Sequence, residues 1–154
     1  MKRNKSGSNF NVVVMLLFSL LITGVYAESN RLKPVTPDYQ LSFPMDYGAH
    51  QDFRIEWWYI TGWLETEDKK PLGFQVTFFR YAIDHNHDNP SHFAAKDLII
   101  AHLALSDPAV GKLMHVERIA REGFDLAYAK PGNTDVRLDD WTLVREEDGR
   151  YQVD

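Results

Sequence analysis

A glutamate inside a run of aromatic residues is the first feature of this sequence that could do chemistry. Glu56 lies in the segment HQDFRIEWWYITGWLE, residues 50–65. A carboxylate in such an apolar setting is costly unless it is paired with a cation or protonated. A protonated Glu56 could act as a general acid. The structural alternative is an ion pair with Arg54 or Arg80.

Two histidines are further candidates for chemistry or binding. His102 lies in the apolar run LIIAHLALSD, where it could be catalytic, contact a ligand, or be a buried and hydrogen-bonded side chain. His50 directly precedes the aromatic run. It is a candidate for ligand binding, with a turn-stabilising side chain as the alternative.

A third group of histidines raises the question of a metal. His85, His87, Asp88 and His92 lie in the polar segment 84–97. Imidazole and carboxylate groups are suitable metal ligands, but this spacing matches no closed site. We therefore predict a solvated loop, with no metal and no other cofactor.

The N-terminal residues predict export. Lys2, Arg3 and Lys5 precede the apolar run 12–25, and a small residue, Ala27, ends the segment. A basic start, a short apolar stretch and an A-x-A-like end are typical of a cleaved signal peptide. We predict a signal peptide over residues 1–27 with cleavage after Ala27, and a periplasmic or secreted product. An uncleaved anchor is the alternative.

Composition limits the partners and the means of stabilisation. The chain has 154 residues and a net charge of −5, which becomes −8 if the three basic residues of segment 1–27 are removed. Such a surface disfavours nucleic acid and anionic membranes. There is no cysteine, which excludes a disulfide and a lipoprotein anchor. Burial of apolar surface must therefore stabilise the fold.

The rest of the chain predicts short antiparallel strands. Residues 28–49 contain three prolines and are expected to be an extended lead-in to a domain over 50–154. Alternating patterns predict strands over 53–64 and 72–81, and further strands follow at 98–107, 112–120 and in 135–154. We predict an all-β, antiparallel barrel or sandwich, incomplete because the last strand has no obvious partner.

The first two strands predict a hairpin with a specific register. Pairing Glu65 with Leu72 places the odd-numbered apolar row of the first strand opposite Phe74, Val76 and Phe78, as one core face. On this register Trp58 shares the other face with Glu56. We predict that this second face is the wall of a ligand pocket; the remaining candidates on it are Gln75, Thr77, Phe79 and Tyr81.

Several of these segments together resemble a known family. The pair EWWYITGWL and GFQVTFFR, followed by LIIAHLALSD, VERIAREG and LDDWTL, is similar to AttH-like proteins. That family includes carotenoid 1,2-hydratases (hydroxyneurosporene synthases) and secreted proteins named as hydrolases. The resemblance covers roughly residues 43–154 and implies a lipocalin-like, antiparallel domain.

The resemblance also implies a second, C-terminal β domain. Family members usually carry two such domains and a later motif with a Trp-x-Asp-His-Glu sequence, which this sequence lacks. The chain therefore looks like an N-terminal half, which is expected to pair with that missing domain.

Three functional hypotheses follow from the residues and the resemblance. The first is an exported module that binds an apolar or amphipathic small molecule, alongside an ABC transporter of the envelope. The second is a hydratase or hydrolase acting on an isoprenoid, with Glu56 as the acid that protonates a C=C bond and His102 as a second catalytic candidate. The third is a fragment that folds only with its other half.

Overall fold

The protein consists of two antiparallel β-sheets. The computed structural model describes residues 32–83 and 89–154, and almost all of its regular structure is β. The first sheet has strand order β1-β2-β3-β4 and the second β5-β6-β7-β8. The strands are β1 (Ile55–Glu65), β2 (Pro71–Ala82), β3 (Asp97–Asp107), β4 (Lys112–Arg121), β5 (Ala127–Ala129), β6 (Asp135–Leu138), β7 (Trp141–Arg145) and β8 (Tyr151–Val153).

The two sheets form a sandwich, and the prediction of an all-β antiparallel fold is confirmed. Neither sheet closes on itself in the described part of the chain, so of the two predicted architectures the sandwich is the one observed. The core lies between one face of the first sheet and the second sheet. Its buried apolar members are Ala49, Val76, Phe78, Ile99, Ala101, Ala127, Ala129, Val136, Leu138 and Leu143.

The lead-in before β1 is more structured than predicted. Lys33 forms a bridge with Phe53, and Met45–Tyr47 form a short 3-10 helix. The Ala49 amide donates to the Lys130 carbonyl at 2.8 Å. The Thr134 hydroxyl donates to the Tyr47 carbonyl at 2.7 Å. The end of the lead-in is therefore bonded to the second sheet just before the chain enters the first.

The hairpin register differs from the prediction by one residue. Glu65 pairs with Pro71, and Trp58 pairs with Phe78. The turn is shorter than expected because the Thr66 amide bonds the Lys70 carbonyl at 3.0 Å, and Lys69 takes a positive φ of 64°. Turn geometry sets the register of a hairpin, and a slip of one residue exchanges the faces of one strand relative to the other.

The correction exchanges the two faces of β1. The core face of β2 is as predicted, with Phe74, Val76 and Phe78 directed towards the second sheet. The core face of β1 is the even-numbered one, which carries Trp58 and Ile60. The odd-numbered aromatic row, predicted to be core, lies on the other side of the sheet.

Two predictions fall on residues outside the described ranges. The signal peptide and its cleavage after Ala27 belong to residues 1–31, and His85, His87 and Asp88 belong to 84–88. His92 is described and is exposed. Within 32–83 and 89–154, no helix has the length and apolar character needed to cross a membrane.

Candidate functional site

The face of the first sheet turned away from the core carries several exposed apolar side chains, and we call it the open face. Cross-strand pairing arranges it in rows of four side chains, one from each strand from β1 to β4. The five rows are Ile55, Tyr81, Leu98, Arg121; then Trp57, Phe79, Ile100, Ile119; then Tyr59, Thr77, His102, Glu117; then Thr61, Gln75, Ala104, His115; and then Trp63, Gly73, Ser106, Leu113.

Large apolar side chains on the open face are in contact with solvent. Trp57, Tyr59 and Ile119 are each more than half exposed, and Trp63 is 80% exposed. Exposed apolar patches of this extent mark sites of interaction in soluble proteins. Most polar groups of the face lie in the two adjacent rows that contain Thr77 and Gln75.

Five of the predicted site residues meet on the open face. They are Gln75, Thr77, Phe79, Tyr81 and His102. The His102 ring contacts the Phe79 ring edge-on with centroids 5.2 Å apart, and its Nε2 lies 3.7 Å from Glu117. The Gln75 amide donates to the Thr77 hydroxyl at 3.0 Å. The alternation of β2 predicted that its four candidates share a face, but it did not predict that His102 of β3 joins them.

Trp58 does not belong to this cluster, contrary to the predicted pocket wall. It lies on the inner face and packs against the core. Its indole Nε1 donates to the Tyr47 carbonyl at 3.2 Å. The reason is the register: with Trp58 opposite Phe78, the odd-numbered residues of β2 are on the other side of the sheet.

Glu56 and Arg80 are the centre of an ion-pair network on the inner face. The Arg80 side chain is 1% exposed. Its Nε donates to Glu56 at 2.5 Å, and its Nη1 donates to Asp97 at 2.9 Å. Its Nη2 donates to the carbonyls of His50 and Phe53 at 2.7 and 2.6 Å. Arg80 and Arg54 were the predicted ion-pair partners of Glu56, and Arg80 forms this ion pair.

His50 connects this network to the lead-in. Its backbone amide donates to both carboxylate oxygens of Glu56 at 2.9 Å, and its Nδ1 lies 2.9 Å from one of them. Its Nε2 lies 3.1 Å from Asp46. Burial lowers the pKa of His50, but the hydrogen bonds to Glu56 and Asp46 outweigh it, and the pKa is raised. Both ring nitrogens face carboxylates, an arrangement that suits an imidazolium.

The surroundings of Glu56 define what its carboxyl group can do. The backbone amide of His50 and the guanidinium of Arg80 both donate to it. Hydrogen-bond donors that converge on a carboxyl group in this way stabilise its negatively charged form. The side chain also points to the opposite side of the sheet from the open face. Glu56 and His50 therefore lie together, apart from the aromatic candidates on the open face.

A second carboxyl pair lies at the edge of the network. Asp97 is fully buried, and its Oδ2 has no hydrogen-bond donor among the described residues. The Glu122 amide donates to the Asp97 carbonyl at 2.8 Å, so the two side chains are neighbours. Burial, and then repulsion from Asp97, raises the pKa of Glu122 to about 7. When Glu122 is protonated, its hydroxyl can donate to the neighbouring Asp97 carboxylate.

We expect Glu122→Gln to flatten the pH dependence of stability. Because the folded protein binds the Glu122 proton more tightly than the unfolded chain does, the free energy of unfolding falls as pH rises from about 4.5 to above 7. Partial solvent access reduces the effect to about 1 kcal/mol. In urea unfolding, Glu122→Gln should match the wild type at pH 5 and exceed it at pH 8.

The control for this prediction is Glu117→Gln. Glu117 lies on β4 and is 74% exposed, so its replacement should leave the pH profile unchanged. An equal pH slope in the wild type and Glu122→Gln would contradict the assignment.

Sequence reasoning missed three members of the network, Asp46, Asp97 and Glu122. The sequence contains only an indirect indication that Arg80 has such acidic partners. Arg80 has the same parity as Phe78 in an otherwise apolar strand, so a core position had to be occupied by a cation that needed acidic partners. The partners themselves come from distant segments and could not be identified. No group of three or more potential metal ligands is assembled within the described ranges.

A small cleft also lies between the sheets. It has a volume of about 250 Å³ and is lined by core side chains such as Phe78, Leu103 and Trp141. Of the site residues predicted from the sequence, His102 is the one that contributes to its lining.

Comparison with known proteins places the chain in a family. The model of AttH-like proteins matches residues 34–154. No curated protein matches the chain. The crystal structure of an AttH candidate from Nitrosomonas europaea (NE1406, 2.00 Å resolution) is 68% identical in sequence and superposes with a TM-score of 0.66. The match covers 79% of the present chain and 36% of that one. The chain therefore belongs to the AttH-like family.

Proposed function

We propose that this protein is an exported binding module for an apolar or amphipathic small molecule, and that the ligand lies on the open face. The observation that carries the proposal is the juxtaposition on one sheet of solvent-exposed aromatic rings and a few hydrogen-bonding groups. Predominantly apolar surfaces with a few polar groups that fix orientation are typical of small-molecule sites.

The distribution of polar groups supports an amphipathic ligand. The row of Trp57 and Phe79 is apolar along its whole length. The adjacent row contains Thr77 and His102. An apolar body would therefore contact aromatic rings while a polar end reaches the middle of the sheet.

All-trans-retinol is a suitable probe, because it is neutral, apolar along its chain and polar at one end. We expect it to quench tryptophan fluorescence saturably, since Trp57 and Trp63 lie on the open face. Tyr59→Glu places a charge at an exposed position of that face and should weaken binding at least tenfold, about 1.4 kcal/mol.

Tyr151→Glu is the matched control, because Tyr151 is an exposed aromatic residue of β8 in the second sheet. It should change the affinity less than twofold. The absence of saturable quenching, or an equal loss in both variants, would contradict binding on the open face.

A hydratase-type enzyme is the alternative proposal, based on family membership. It requires Glu56 to release a proton to a substrate carbon. The donors around Glu56 and its position on the inner face favour a structural role instead. Binding without catalysis therefore has the stronger support.

The proposal also includes the location of the protein and its partners. The basic and apolar N-terminal sequence supports a cleaved signal peptide and a periplasmic or secreted location. The chain spans 36% of its relative from N. europaea, which supports a second, C-terminal β domain as a partner. Association with an ABC transporter of the envelope rests on the family resemblance alone.

A further inference from the structure

One end of the open face contains a slot. It has a volume of about 420 Å³, within the range of small-molecule sites. Its floor is made of small residues, Gly73, Ala104 and Ser106. Trp63 on β1 and Leu113 on β4 stand on either side, at the two edges of the sheet. Gly73 and Ser106 lie in cross-strand register with these large residues, and Ala104 lies in the next row, so the middle of the slot is lower than its sides.

Gly73 determines the shape of this floor. A Cβ atom there would lie 3.4 Å from the Trp63 ring and 3.5 Å from the Ser106 Cβ. The indole therefore leans across the Gly73 backbone. The slot presents an aromatic surface along one side, against which a flat apolar group can stack.

The polar lining of the slot offers acceptors. The Gln75 Nε2 donates one of its two N–H groups to Thr77, so the amide oxygen of Gln75 and one N–H remain for a ligand. The Thr61 hydroxyl donates to the Phe74 carbonyl at 3.0 Å, so the lone pairs of the hydroxyl oxygen can accept a hydrogen bond from a ligand. None of the residues that line the slot is charged. A charged ligand group would lose hydration without gaining a partner.

We propose that the slot is the binding site for an uncharged molecule with a flat apolar body and one hydrogen-bonding group, such as a hydroxyl or N–H group. This inference rests on the proposed function and narrows it, because it assigns the ligand to the Trp63 end of the open face. It also specifies that the ligand is uncharged.

Two fluorescent probes test the proposal. N-phenyl-1-naphthylamine is neutral and carries one N–H donor, and 8-anilinonaphthalene-1-sulfonate adds a sulfonate to the same skeleton. We expect the neutral probe to bind at least tenfold more tightly. Trp63→Ala and Ala104→Ile, which remove a wall and fill the floor, should each weaken it at least tenfold.

Tyr151→Ala is the matched control, because Tyr151 is an exposed aromatic residue of β8 in the second sheet and is not a slot residue. It should change the affinity less than twofold. Circular dichroism of each variant, compared with the wild type, checks that the fold is retained. If Ala104→Ile does not fold, Ala104→Val is used in its place.

The outcomes separate the slot from the broader proposal. If probe and retinol binding respond to Tyr59→Glu but not to the slot variants, the slot assignment is wrong and binding on the open face stands. If neither ligand binds, both proposals fail. If the anionic probe bound as tightly as the neutral one, the proposal that the ligand is uncharged would be wrong. A wild type that sediments as a dimer without binding the probe, with Trp63→Ala monomeric, would make the slot an interface between copies.

Discussion

Replacing Arg80 by methionine is expected to lower the free energy of unfolding by about 3–5 kcal/mol. Arg80 is the only cation that contacts both Glu56 and Asp97 among the described residues, and all three are largely or fully buried. Methionine fills a similar volume, so the loss is electrostatic. Two carboxylates would be left without their main partner, as would the carbonyls of the loop before β1. Urea unfolding followed by circular dichroism measures the change.

Arg118→Met is the control for this prediction. Arg118 is also paired with an acid, Asp140, but that carboxylate is 77% exposed. An exposed pair contributes about 0–1 kcal/mol. Arg80→Lys should be intermediate, because the charge is kept while the fork of donors is lost. A loss below about 1 kcal/mol for Arg80→Met would show that the network does not stabilise the fold.

Gly48→Ala is expected to cost about 2–3 kcal/mol, for a steric reason. Gly48 has an ordinary φ of −91°, so its backbone conformation is open to any residue. A Cβ atom, however, would lie 2.3 Å from the Gly132 nitrogen and 2.6 Å from the Pro131 carbonyl carbon. These are backbone atoms and cannot rotate away. The lead-in would have to move off the second sheet, breaking the Ala49–Lys130 hydrogen bond.

Gly73→Ala is the matched control, since its Cβ would meet only side-chain atoms, at 3.4 Å or more. Its effect on the midpoint of thermal unfolding should be small. If the two alanine variants melt at the same temperature, the close contact between the lead-in and the 131–133 loop is not important for stability.

The register of the first hairpin shows where sequence patterns stop being informative. Both faces of β1 are apolar enough to be core, because Trp57, Tyr59 and Trp63 alternate with Trp58 and Ile60. Hydrophobic alternation therefore predicted a strand correctly but could not choose its buried side. The turn at Thr66–Lys70 and the position of the second sheet made that choice.

The ion-pair network shows a second limit. Glu56 could be recognised as a costly carboxylate from its neighbours in the sequence. Its environment, however, is built from His50 in the lead-in and Arg80 in the next strand, with Asp97 at the start of β3. Contacts between residues this far apart in the chain depend on how the sheets and loops come together.

By itself the sequence determined the class of fold, the family and most of the strands, because periodic burial and turn residues act locally along the chain. It also identified Gln75, Thr77, Phe79 and Tyr81 as one side of β2. Only the tertiary structure decided that these residues lie with Trp57 on an open face, while Trp58 and Glu56 face inward. The physical reason is that a strand has two faces of similar polarity here, and only packing against the second sheet distinguishes them.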